Sequence, residues 1–332
     1  MTTCAAAAPT EVKSDALAGP RLAVVLLTWN ARADTLACLG RLVPQLRPGD
    51  LLVVSDNGSG DGTESAVRAA FPSVVYVQNG ANLGFAGGVN AGLRRALDSS
   101  SEWLLVLNND TEPDGELLAR LRGPAASAAP NVGALQPLLV STADPERIDS
   151  AGLAPRALPG ARDRHTGEPA RSLGTAARPI FGACGAAALY RRSALERVGI
   201  FDDALFVLFE DVDLAFRLRA AGYAAQLIPS IRLPHRRGVS SASGRNRAPA
   251  ARRRRTWVQR NTLALALRYW PWPRLLLAFP ILAWRAVDAL RLARVHAPQT
   301  CLPLWRRALR ERGALRAGLR RAGGDAWFGR DR

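Results

Sequence analysis

A chain of 332 residues can bury one large core and still carry an appendage, and 48% hydrophobic content excludes a protein disordered throughout. The formal charge of +17 is unevenly placed: 24 arginines and 4 acids lie from Arg232 onward, so that segment carries +20 and residues 1–231 carry −3. Cys4, Cys38, Cys184 and Cys301 show no paired spacing, which argues against a zinc site or a disulfide framework and for a reducing compartment.

Residues 1–20, rich in Ala with Pro and Gly, read as a loose tail without the basic start and apolar core of a signal peptide, so chemistry is expected to face the cytoplasm. Leu22 to Leu27 reads as a strand buried on both faces, ending at Thr28-Trp29-Asn30. A helix is expected from about Ala33 to Leu46, broken at Pro48-Gly49-Asp50, with the next strand at Leu51 to Val54. The polar, glycine-rich turn from Ser55 to Thr63 follows, in which Asp61 or Thr63 caps a helix reaching Phe71. Val74 to Val77 is a third strand. Gly84 to Leu97 is a helix opened by Asn82-Leu83-Gly84, with Gly87 and Gly88 serving either close approach to a ligand or packing on the sheet.

Leu104 to Leu107 is a fourth buried strand, and it stops abruptly at Asn108-Asn109-Asp110. Open α/β sheets place their sites at this carboxyl edge. Asp110 offers a carboxylate oxygen and Asn108 a carbonyl oxygen, a hard donor set that suits Mg²⁺ or Mn²⁺ better than zinc; a plain Asx turn is the alternative. Four strands alternating with helices predict an α/β fold with a mostly parallel sheet and a nucleotide-sized crevice. The absence of G-x-G-x-x-G after the first strand and of a Walker motif argues against the common dinucleotide and P-loop folds.

Beyond Asp110, Val132 to Val140 reads as a strand, Ile148 to Gly152 as a turn or short strand, and Arg162 to Arg178 as a polar loop. Phe181 to Ala186 is a run of small residues, in which Cys184 reads as a structural thiol. Glu210, Asp211 and Asp213 open an amphipathic helix, where acids suit either the helix dipole or chemistry. A strand at Ala225 to Ile228 leads to His235-Arg236-Arg237. Residues 241–332 then form a basic helical region: Arg245, Arg247 and Arg252 to Arg255, a helix from Thr256 to Trp270, a Pro271-Trp272-Pro273 hinge, and an apolar run from Leu275 to Val287 interrupted by Pro280. That run is too short to span a bilayer. With Trp270, Trp272 and Trp284 it reads as an interfacial anchor on anionic lipid, the alternatives being a subdomain packed on the core or a nucleic-acid binder; no nucleic acid is expected, because the aromatics favour lipid.

The blocks VVLLTWN, VVSDNGSGDGT, NGANLGFAGGVNAGL, WLLVLNNDTEP, FGACGAAALYRRSALERVGIFD and LFEDVDLAFRLRAAGY stand in order between Leu22 and His235. In this order and spacing the chain resembles the bacterial family 2 glycosyltransferases, above all their rhamnosyltransferase-like and galactofuranosyltransferase-like group. The resemblance implies a GT-A catalytic domain over residues 21–240, a nucleotide-sugar donor, a divalent cation (Mg²⁺ or Mn²⁺) and inversion at the anomeric carbon. It assigns Thr28, Asn30, Asp56, Asn82, Gly84 and Asn108 to the donor, Asp110 with Asn108 and His235 to the metal, Asp211 to the catalytic base, Glu210 to orienting that base or binding acceptor hydroxyls, and Asp213 to the acceptor or to pinning the helix. Asn108 departs from the family's Asp-x-Asp pattern, which removes one negative charge from the metal site. Arg236 and Arg237 are expected near the diphosphate. The expected reaction is transfer of rhamnose from its dTDP form to a lipid-linked or cell-envelope glycan acceptor, peripherally at the inner face of the membrane. A UDP-sugar donor such as UDP-galactofuranose is the alternative, and a non-catalytic nucleotide-sugar or nucleic-acid binder the third reading, against which an intact Asp211 speaks.

Overall fold

The structure, a computed structural model, describes residues 19–157, 159–237, 247–296 and 300–323; the expected tail at residues 1–18, with Cys4, and Arg245 lie outside them. The first half alternates as expected: β1 (Leu22–Thr28), α1 (Arg32–Leu42), β2 (Leu51–Asp56), α2 (Thr63–Ala70), β3 (Val75–Gln78), α3 (Gly84–Leu97) and β4 (Trp103–Asn108). There follow α4 (Leu117–Ser127), β5 (Val132–Ser141), β6 (Ile148–Ser150), β7 (Leu153–Pro155), β8 (Ala161–Asp163), β9 (Arg178–Ile180), β10 (Ala187–Arg191), α5 (Arg192–Val198), α6 (Glu210–Ala220) and β11 (Ala224–His235). Nine strands form one sheet in the order β3-β2-β1-β4-β10-β5-β11-β9, with β6 beside β5.

The apolar runs of β1 and β4 are fully buried because helices cover both sheet faces. Their parallel register brings the polar ends to one edge: Thr28 stands opposite Asp56, Leu27 opposite Asn108, and Asp56 opposite Gln78. α3 lies close on this sheet. A Cβ at Gly88 would come within 2.6 Å of Leu27 and Asn57, and one at Gly92 within 2.4 Å of Val25, so packing explains the small residues there.

β10 was not legible in the sequence, since AALYR is short and lacks alternation. It runs antiparallel between β4 and β5, pairing Ala187 with Leu107, and so sets the small-residue loop 181–186 at the end of β4. β11 is longer than expected, and its last residues bridge to the chain after β4, His235 opposite Thr111. The segment expected as a polar loop contains β8, a single-turn 3₁₀ helix at Ala170–Leu173 and β9.

The C-terminal helices are α7 (Arg247–Tyr269), α8 (Trp272–Leu277), α9 (Phe279–His296) and α10 (Cys301–Arg321). One hydrophobic cluster joins Leu205, Val212, Ala215 and Phe216 to Leu263, Tyr269, Trp270, Leu282 and Leu304. Trp270, expected at a lipid interface, is instead fully buried, its ring 5.5 Å from that of Phe216.

Candidate functional site

At the end of β4 the three polar residues separate. Asn108 is half-buried, its N–H given to the Ala186 carbonyl and its own carbonyl taken by Thr111. Asn109 turns inward and donates to the hydroxyls of Thr28 and Thr35. Asp110 is buried, and its Oδ1 makes no aligned hydrogen bond among the described residues, only an ion-pair contact. His235 Nε2 lies 3.3 Å from that oxygen, and its Nδ1 lies 2.8 Å from Asp149 Oδ2. Burial opposes charging this imidazole, but Asp110 and Asp149 outweigh it and raise the His235 pKa to about 9. Asp149 is held in turn by Arg237, which also pairs with Asp163, while Arg236 pairs with Asp34. Both arginines are thus engaged by carboxylates. The Asp149 contact at Nδ1 is the arrangement by which a carboxylate orients a metal-binding imidazole, while Nε2 faces Asp110 and carries a proton in the charged form.

The second carboxylate group opens α6. Asp211 Oδ2 accepts the N–H of Gly185 at 3.0 Å, and Oδ1 that of Val212 at 2.8 Å. Gly185 is closely packed: a Cβ there would lie 3.0 Å from the Phe85 ring, which would have to shift. Burial, with the charge of Asp163 adding to it, pushes the Asp211 carboxyl up to about 6 despite these hydrogen bonds. Glu210 is more deeply buried, with Oε2 lacking a partner among the described residues, and burial together with the Asp211 charge raises it well above the usual range. The pair therefore divides: Glu210 is the harder of the two to ionise, and Asp211 ionises near pH 6. Asp211 is oriented by the backbone of Gly185, a role expected of Glu210.

Of the two roles expected of Asp213, acceptor contact and pinning the helix, the structure gives the second. Asp213 is fully buried, its oxygens are held by Arg217 at 2.8 Å, Arg268 at 2.6 Å and Tyr269 at 2.7 Å, and it pins α6 to α7 with no surface left for an acceptor. Phe206, Leu208 and Phe209, immediately before α6, all have positive φ. Such backbone is strained and persists only where its surroundings hold it. Here the Asn261 amide of α7 donates to the carbonyls of Leu205, Val207 and Leu208, and Phe206 stacks on Trp257 at 4.7 Å.

On the donor side, the residues expected at the base and ribose divide into floor and rim. Thr28 is buried, its hydroxyl shared with Thr35 and Asn109. Asp56 is fully buried and accepts from the N–H and hydroxyl of Ser59, the Tyr76 hydroxyl and Gln78, so it braces the β2–α2 turn where a direct base contact was expected. Gly84 (φ +73°), expected against the nucleotide, packs instead against Phe206: a Cβ would come 2.3 Å from its carbonyl oxygen. Asn30 and Asn82 are exposed at the rim; Asn30 accepts from Gly60 and Asn82 from Gly84.

The two carboxylate groups share one neighbourhood. The loop that gives Asp211 the Gly185 N–H gives Asn108 the Ala186 carbonyl, and the chain Asp110–His235–Asp149–Arg237–Asp163 ends at a carboxylate whose charge is felt by Asp211. Asp149 and Asp163 were given no role in the sequence reading because no local pattern marks them, and Asn109, though in the marked tripeptide, turns to the floor.

Residues 23–199, more than half of the chain, match the sequence profile of glycosyl transferase family 2. Over 227 residues the chain is 31% identical to an N-acetylglucosaminyl-diphospho-decaprenol L-rhamnosyltransferase of Mycobacterium tuberculosis, spanning 62% of this chain and 73% of that protein. Galactofuranosyltransferase GlfT1 of the same organism is 29% identical over 204 residues, 59% of this chain and 64% of that one. A mannosyltransferase from Pyrobaculum calidifontis, solved with GDP-Man and Mn²⁺, superposes with a TM-score of 0.53 at 21% identity, covering 96% of this chain and 91% of that structure, which supports the expected GT-A fold. By the match of more than half its length to the profile, and by these relatives, the chain belongs to glycosyl transferase family 2.

Proposed function

We propose that the protein is an inverting, divalent-cation-dependent glycosyltransferase that moves rhamnose from dTDP-rhamnose to a lipid-linked or cell-envelope glycan acceptor at the inner face of the membrane. The observation that carries this reading is the Asp211 carboxylate, tuned to ionise near neutral pH and anchored on the loop that also binds the end of β4. A base there takes the proton of the acceptor hydroxyl as its oxygen attacks the anomeric carbon on the face opposite the departing diphosphate. Asn30 and Asn82, at the exposed rim, meet the nucleotide, while Thr28 and Asp56 shape the floor beneath it.

The donor set fits a hard cation. Asp110 Oδ1, whose one close contact is the 3.3 Å ion pair with His235, would supply one ligand, and His235 a second on giving up its Nε2 proton; Asn108 stands two residues away, and among the described residues no cluster of three His, Cys, Asp or Glu side chains could hold the ion alone. The donor's phosphate oxygens complete such a sphere. When bound, the cation neutralises charge on the leaving nucleoside diphosphate. Asp149→Asn, which keeps the shape but loses the carboxylate behind His235, is expected to weaken Mn²⁺ binding in the presence of nucleoside diphosphate by about 10- to 100-fold, measured by calorimetry.

The rhamnose assignment rests on the 31% identical relative, whose name gives both sugar and acceptor. A panel of nucleotide sugars with Mg²⁺ or Mn²⁺ and an N-acetylglucosaminyl-diphospho-polyprenyl acceptor tests it: product with dTDP-rhamnose is expected, and product with UDP-galactofuranose alone would move the protein to the second reading, which the GlfT1 relative supports.

A further inference from the structure

α8 and α9 carry two apolar faces where a helix pair on a globular core needs one. Leu275, Ala278, Leu282 and Ala289, at helical spacing, are buried in the cluster shared with α6 and α7. That inner stripe accounts for their packing. Yet the outer side is apolar too: Leu276 is 73% exposed, Leu277 77%, Phe279 66%, Trp272 57% and Trp284 52%, with Val287 continuing the stripe. A helix facing water turns polar residues outward, and a contiguous apolar patch of this kind marks a contact surface.

The charges around the patch identify what covers it. Arg252, Arg253, Arg254 and Arg255 on α7 are all exposed, and the Arg255 guanidinium reaches the patch, lying 5.8 Å from the Trp284 ring. Between Arg245 and Arg310 the sequence contains one acid, Asp288, and it is occupied by Arg255 and Gln259. An apolar face rimmed by arginines complements acyl chains beneath an anionic headgroup layer. No helix among the described residues is long and apolar enough to cross a membrane.

We propose that the outer face of α8 and α9, with the arginine run of α7, is a docking surface for an anionic phospholipid bilayer, the helices lying in the headgroup boundary. This deepens, and for its biological purpose rests on, the reading that the acceptor is lipid-linked. Because α7 also holds the strained turn before Asp211, docking through these helices sets the catalytic helix at a fixed height above the lipid.

The test is co-sedimentation of the full chain with vesicles of phosphatidylglycerol and phosphatidylcholine, and of phosphatidylcholine alone, without any sugar substrate. Binding to the anionic vesicles is expected, weakening as salt rises. The double variant L276E/L277E is expected to lose at least about tenfold in vesicle affinity, and R252Q/R253Q/R254Q to lose the preference for phosphatidylglycerol. Both leucines are exposed, so circular dichroism and transfer to a short-chain, water-soluble acceptor are expected to stay at the parent level, which separates lost docking from lost fold. Equal vesicle binding by L276E/L277E, or no binding by the parent chain, would overturn the proposal. So would a dimer that ignores vesicles and dissociates in L276E/L277E, since the patch would then be a protein interface. Vesicle binding without turnover of any nucleotide sugar would leave the surface standing and refute the transferase reading.

Discussion

Asp211→Asn is expected to lower kcat by roughly 10²- to 10⁴-fold, the usual worth of a general base, with little change in donor KM. The variant keeps the shape and can still accept the Gly185 N–H, so loss of activity would report loss of the base and not of the fold. In the parent enzyme the base works only when ionised. Its carboxyl is raised to about 6, so kcat/KM is expected to climb with pH through about 6 and then level off. Glu210→Gln serves as the control: burial and the neighbouring Asp211 charge disfavour ionisation of Glu210, and its neutral amide replacement is expected to retain most of the activity. Activity retained in Asp211→Asn, measured by nucleoside diphosphate release, would remove Asp211 from the role of base.

The second large effect is on stability. Arg268 is buried among three carboxylates, 2.6 Å from Asp213, 3.0 Å from Asp202 and 2.9 Å from Glu311. Removing one partner from a buried ionic cluster leaves charge without compensation, so Arg268→Ala is expected to cost about 3 kcal/mol or more, read as a fall in apparent Tm. Burial tends to raise the Asp213 carboxyl, but Arg217 and Arg268 outweigh it and hold the group below the usual carboxylate range. A depressed carboxylate stabilises the fold above its unfolded pKa, about 3.9, and that contribution disappears as pH falls through the lower folded value. The parent chain should therefore lose this increment only in strong acid, whereas Arg268→Ala should have lost much of it already at neutral pH. Equal Tm values for the two proteins at pH 7 would show that the cluster contributes nothing.

Asp211 and Asp213 show where reading a sequence stops. Both are acids in the first turn of one helix, and nothing local tells them apart. Two residues along an α-helix turn a side chain through about 200°. The first therefore faces the Gly185 loop and the second faces Arg268 and Tyr269 on a helix some 55 residues later. Asp149 was invisible for a related reason: its partner His235 is 86 residues away, and the two meet only because β6 and β11 both pair with β5, while the bridge from His235 to Thr111 brings them to Asp110. Asp56 looked available because a strand-end carboxylate usually is; the Tyr76 hydroxyl and Gln78 of the neighbouring strand, together with Ser59, occupy it.

By itself the amino-acid order determined the doubly covered strands, the polar edge where they end, the acids that open α6 and the arginine-rich helices beyond, because apolar runs, turn residues and charge blocks act over a few neighbouring positions. Tertiary structure alone decided which carboxylate ionises near pH 7, which is locked in a salt bridge, and which helix face meets solvent. Those outcomes depend on desolvation and on partners brought from distant parts of the chain, quantities that no short window of residues contains.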